Sequence, residues 1–163
     1  MNSLSIYLPY IMSKKAVDIK KTTKQKHTRI MVFGTFDGFH LGHLSFFKQA
    51  KNFTKNSFLI VSIARDINVM KIKGSRPVLK EKERMNLIKK CKIVDRVILA
   101  GKKDYLKHIL KETPDIIALG YDQKAYVEDL KKDLKNKGIS IKIIHLKPFK
   151  EKIYKNHLLN KKR

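Results

Sequence analysis

A chain of 163 residues, 42% of them hydrophobic, is long enough to bury one core without crosslinks. Its single cysteine, Cys91, excludes an internal disulfide framework and a cysteine pair at zinc-ligand spacing, so a cytoplasmic protein is expected. The 38 Lys plus Arg against 14 Asp plus Glu give a formal net charge of +24, a surface that attracts polyanions, whether nucleotides or nucleic acid; because the lysines are scattered along the whole chain, a genome-wide lysine bias accounts for the excess equally well.

The opening stretch MNSLSIYLPYIMSKK carries an apolar patch broken by Pro9, with its lysines after the patch instead of before it. That is the wrong order for a secretory signal, and the patch is too short to span a bilayer. Residues 1–27 are expected to form a flexible, basic N-terminal extension, with Met12 as an alternative start, and residues 28–163 one domain. From Arg29 onward, apolar runs alternate with amphipathic segments. RIMVF, SFLIVSIA, DRVILA, DIIALG and ISIKIIHL read as strands buried on both faces. Helical spacing links Phe46, Phe47, Ala50 and Phe53, then Met85, Ile88 and Cys91, then Leu106, Ile109 and Leu110, then Val127, Leu130 and Leu134. The alternation predicts an α/β fold, a Rossmann-like, doubly wound, parallel five-stranded sheet of order 3-2-1-4-5 with helices on both faces.

In such a sheet ligands bind beyond the carboxyl ends of the strands, where the strand order reverses. Two loops there carry chemistry, GTFDGFHLGH (34–43) after the first strand and GYDQ (120–123) after the fourth, and in this order both open into one crevice. Gly34 ends the strand and Gly42 starts the next helix, places where a missing Cβ lets a ligand or another backbone approach. Free amides and the dipole at that helix start suit a phosphate. His40 and His43 bracket Gly42 and can donate hydrogen bonds to a phosphate whose charge grows during reaction. A histidine pair three apart is also a metal half-site, but no third ligand stands at a matching spacing. The dinucleotide fingerprint and the Walker A motif are both absent. Asp122 is placed either to recognise a base or ribose or to cap the helix beginning near Ala125. Asp37 could help hold Mg2+ through water, without a dedicated metal cage. Cys91 is expected to be core.

GTFDGFHLGH resembles the signature of the HxGH nucleotidyltransferases, the cytidylyltransferase-like superfamily. With ARDINVMKIKGSRPV, EKERMNLIKKCKIVDRVILA and PDIIALGYDQ, the chain most resembles the archaeal-type FAD synthases, which are FMN adenylyltransferases, followed by the glycerol-3-phosphate cytidylyltransferases. The resemblance implies in-line attack of an acceptor phosphate oxygen on the α-phosphate of a nucleoside triphosphate, with release of pyrophosphate. It implies catalytic roles for His40, His43 and Lys73, and nucleotide contacts from Gly34, Gly42, Gly120, Asp122 and the amides of Thr35 and Phe36. Lys71 and Lys73 would belong to a mobile basic loop over the phosphates, and Arg84 would face the same crevice. Where the family carries a Ser/Thr-rich turn, this chain has Lys155, Asn156 and His157; Asn156 can still cap a helix, and Lys155 or His157 can still donate to phosphate.

The expected substrates are therefore ATP and FMN, with Mg2+ arriving on the nucleotide. CTP with an alcohol phosphate is the first alternative, and a nucleic-acid-binding protein on an inactive scaffold the second. A homodimer is a further expectation, and no membrane partner is expected.

Overall fold

In the computed structural model, residues 27–123 and 127–149 are described; the extension expected at the N-terminus, up to residue 26, and the Lys155-Asn156-His157 turn lie outside them. The order of elements is β1 (Thr28–Gly34), α1 (Leu41–Lys51), β2 (Ser57–Ile63), α2 (Asp66–Lys73), α3 (Glu81–Lys89), β3 (Arg96–Leu99), α4 (Tyr105–Lys111), β4 (Ile116–Leu119), α5 (Val127–Asn136) and β5 (Lys142–His145). Strands with no polar face need cover on both sides, and here the five runs read from the sequence form one all-parallel sheet of order β3-β2-β1-β4-β5.

Alternation along each strand divides the core in two. Ile30, Val32, Leu59, Val61, Ile63, Ile116 and Ala118 face Phe47 and Ala50 of α1 and Ile88 of α3. Met31, Ile60, Ile117 and Leu119 face Leu106 and Ile109 of α4 and Val127, Leu130 and Leu134 of α5. Strand β1 is central, pairing Ile30 with Leu59 on one side and with Ile116 on the other. The loops that follow β1 and β4 therefore emerge side by side at the point where the strand order reverses. Among the described residues, no helix is long and apolar enough to cross a membrane.

The structure departs from the sequence reading in three places. Phe53 lies beyond the end of α1, 42% exposed, with the Lys142 ammonium over its ring. Cys91 lies just past α3 but packs against the core as expected. Lys71 and Lys73, expected in a mobile basic loop, stand on helix α2, which is opened by an acidic residue favourable to the dipole, Asp66, and closed by Gly74 at φ 72°, whose amide donates to the Met70 carbonyl.

Candidate active site

The signature loop is shaped by Phe36. Its φ is 52°, and Gly38 follows at φ 79°, so two left-handed residues fall within three positions. A left-handed non-glycine residue costs about 1–2 kcal/mol; here the ring is buried to 3% exposure and meets Phe47 and His43 edge-on, each at 5.1 Å between centroids. A Cβ on Gly34 would stand 2.5 Å from the Phe36 ring. The missing side chain of Gly34 thus makes room for this ring, where the sequence suggested room for a ligand or another backbone.

His40 is the N-cap of α1. Its backbone is extended (φ −140°, ψ 173°), its carbonyl accepts from Leu44 N at 3.1 Å, and its Nδ1 accepts from Gly42 N, also at 3.1 Å. The Gly42 amide, expected to meet a phosphate directly, is therefore engaged by His40. An Nδ1 that accepts places the hydrogen of the neutral ring on Nε2. No acidic residue occupies the first turn of α1, so nothing within that turn offsets the positive end of its dipole.

His43 stacks on His40 with ring centroids 3.7 Å apart and planes 22° apart, and Phe39 stacks near it at 6.2 Å. Burial above all, then the adjacent His40 ring, and more weakly Lys73, push the His43 pKa from the ordinary 6.5 down to about 3, against an opposing pull from the Gly38 backbone. The ring is neutral at physiological pH. Its Nδ1 is buried and has no hydrogen-bond partner among the described residues, an exception that calls for a functional reason. Because the unfolded chain takes up a proton that the folded ring refuses, this group's stabilising contribution is complete above pH 6.5 and is lost as the pH falls toward about 3. Urea titrations at stepped pH are expected to show a shallower acid-side loss for His43→Phe than for the native chain over that window.

Arg84 does not face the crevice, contrary to the sequence reading. It is 0% exposed. Its Nε donates to Leu79 O at 3.0 Å, one terminal nitrogen donates to Thr35 O, and the other donates to Ala64 O at 2.8 Å and to Asp66 Oδ1. One guanidinium thus ties the signature loop to the end of β2 and to the starts of α2 and α3. Around it, the two helix starts cap each other: Asp66 N donates to Glu81 Oε2 at 3.0 Å, and Glu81 N donates to Asp66 Oδ2 at 3.1 Å. Arg65 completes the set, donating to Glu81 Oε1 at 2.7 Å and Ala100 O at 2.8 Å. Asp37, considered for Mg2+, accepts from Val78 N at 2.8 Å and Leu79 N at 2.9 Å, and so holds the α2–α3 connection against the signature loop.

Lys71 and Lys73 are both exposed on the last turn of α2. Two residues apart on a helix, they point about 160° away from each other. Lys73 acts electrostatically on His43. Lys71 lies on a different face of α2, so the two lysines do not act as one clamp.

The loop after β4 adds a residue that the sequence reading passed over. Gln123 Oε1 accepts from Gly120 N at 2.6 Å, and its Nε2 donates to Phe33 O at 2.9 Å. Its amide thereby stitches the ends of β4 and β1 together at the strand-order reversal. A Cβ on Gly120 would lie 3.3 Å from Asp122 Oδ1 and 3.4 Å from Gln123 Oε1, so both side chains fold back over this glycine. Removing the stitch leaves a strand-end amide and carbonyl without their partner, at about 1–3 kcal/mol. Gln123→Ala is expected to lower stability by about that amount, read as an earlier urea midpoint in equilibrium unfolding.

Comparison with known proteins agrees with this geometry. The cytidylyltransferase-like family model matches residues 31–158. The chain is 43% identical over 122 residues to an FAD synthase of Korarchaeum cryptofilum, covering 74% of this chain and 82% of that one. It is 35% identical over 134 residues to an FAD synthase of Thermoplasma volcanium, covering 82% and 92%. Among solved structures, it is similar to a Thermoplasma volcanium protein described as a lipopolysaccharide core biosynthesis protein, with TM-score 0.69, 36% identity and coverage of 76% and 99%. A pantothenate synthetase of Thermus thermophilus, at 14% identity and TM-score 0.51 over 74% of this chain and 55% of that one, shares the fold alone.

Proposed function

The chain belongs to the cytidylyltransferase-like family, and we propose that it is a nucleotidyltransferase that makes FAD from FMN and ATP. The observation that carries the chemistry is the stacked His40–His43 pair at the positive end of α1, beside the point where the strand order reverses. The choice of substrates is supported by relatives called FAD synthase at 35% to 43% identity. A phosphate oxygen of FMN attacks the α-phosphorus of ATP, a new P–O bond forms in line with the breaking bond to the β-phosphate, and pyrophosphate leaves with the electron pair. No protein nucleophile is required; the barrier falls through positioning and charge stabilisation.

His40, through Nε2–H, and His43 donate hydrogen bonds to the oxygens on which charge accumulates. Rings 3.7 Å apart would repel each other if both were charged, and His43, its pKa held well below the ordinary value by burial, donates as a neutral imidazole. Lys73 supplies positive charge over the phosphates, while Thr35 and the left-handed Phe36 present backbone amides to them. Gly120 and Asp122 border the nucleoside, and Asn156 contributes from the tail. Mg2+ enters as the counterion of the triphosphate and so as part of the substrate. Among the described residues, no three His, Cys, Asp or Glu side chains gather into a metal site, and Asp37 already holds two backbone amides. We place the reaction in the cytoplasm.

Transfer from CTP to glycerol 3-phosphate and nucleic-acid binding, the other two sequence readings, are not favoured by the relatives. Pyrophosphate release with Mg2+ tests the assignment across ATP or CTP, each with FMN or glycerol 3-phosphate. Release with ATP and FMN alone is expected; release only with CTP and glycerol 3-phosphate would replace the substrates and keep the chemistry.

A further inference from the structure

Helix α2 and the segment after it display Ile67, Met70, Ile72 and Val78 at 57%, 45%, 57% and 65% exposure. The described residues hold seven exposed large hydrophobics, and four fall within these twelve positions. A single exposed apolar side chain needs no explanation, whereas a cluster marks a binding surface. Its position is fixed relative to the signature loop at both ends: Asp37 accepts from Val78 N at 2.8 Å, and Asp66 at the start of α2 shares the Arg84 guanidinium with the Thr35 carbonyl. Around the helix, Met70 stands about 60° from Lys73 and Ile67 about 60° beyond Met70. Lys73 in turn acts on His43. Ile67 and Met70 therefore share the flank of α2 next to Lys73, whereas Ile72 lies about 160° around the helix from Met70, and exposed Arg76 follows on the next turn.

We propose that Met70 and Val78 form an acceptor-ring subsite, a platform for a large, flat, apolar ring system carried on a phosphate monoester, and that it gives the enzyme its preference for FMN. The inference rests on the reading of this chain as an FMN adenylyltransferase and adds the residues that select the acceptor. An alcohol phosphate such as glycerol 3-phosphate is polar throughout and gains nothing from such a strip. FMN combines a phosphate for Lys73 with a tricyclic ring whose burial against methionine and valine removes apolar surface from water. Charge complementarity points the same way: Lys71, Lys73 and Arg76 flank the strip, and the acceptor is an anion.

The test is the double variant Met70→Ser with Val78→Ser in the full-length chain. Both side chains are exposed, so the fold is not at risk from a core cavity. The expected result is a rise of about tenfold in KM for FMN, with KM for ATP and kcat within about twofold of the parent, and a matching loss of affinity when FMN fluorescence is titrated without ATP. A parent enzyme that makes FAD, with a variant whose KM for FMN is unmoved, overturns the subsite and leaves the function standing. A parent that makes no FAD overturns both. A variant that sediments at half the parent's mass with unaltered KM for FMN assigns the strip to a second copy of the chain and also overturns the subsite.

Discussion

Replacing His43 by alanine is expected to lower turnover at least about a hundredfold, the scale of losing one preorganised donor to a transition-state oxyanion. The loss belongs in kcat more than in KM for ATP, because the charge that His43 meets is present mainly in the transition state. The ring is held between His40 and the edge of Phe36, so alanine also removes packing; thermal melting of the same preparation separates the two effects. Near-normal turnover in a folded His43→Ala protein would remove the histidine pair from the mechanism. Since His43 is neutral well above its pKa of about 3, its titration should leave no step in the rate profile around neutral pH.

Arg84→Met is expected to cost about 3–5 kcal/mol, the range for breaking a buried ion pair by deleting one partner. Methionine fills comparable space, but it leaves the carbonyls of Thr35, Ala64 and Leu79 and the Asp66 carboxylate without the donors that hold them. In a chain of this size that corresponds to a fall in Tm of roughly 6–20 °C. Arg84→Lys should recover only part of it, because one ammonium cannot reproduce a planar fork serving four acceptors. Turnover should fall as well, through the freed Thr35 carbonyl and the loop it anchors, with no direct contact between Arg84 and substrate. Calorimetry with steady-state kinetics on both variants checks the pair of effects; unchanged melting in Arg84→Met would refute the structural role.

The strand order was legible because runs such as RIMVF and SFLIVSIA have no polar face to expose, and because the intervening apolar spacing is helical. The two candidate loops followed from that order, and His40 and His43 were picked from the signature in the first of them. Helix α2 was not legible: only Val69 is buried in it, so no apolar stripe betrays its period. Phe36 looks like an ordinary loop aromatic until its positive φ and the cleared face of Gly34 are seen together. Arg84 was expected to face the crevice on the resemblance alone; buried arginines are rare, and most of its partners, at Thr35, Ala64 and Asp66, come from segments distant in the chain. Acidic residues opening α2 and α3, at Asp66 and Glu81, were the available signal for the reciprocal capping. Gln123 carried no such signal, since its two partners lie at the ends of different strands.

The most direct test of the account follows the α-phosphorus of ATP. With ATP labelled at that atom, FMN and Mg2+, the purified chain is predicted to move the label into FAD and to release one pyrophosphate for each FAD formed. Label that stays in ATP, or that appears as free AMP with FMN unconsumed, would contradict nucleotidyl transfer to the flavin as the reaction of this site.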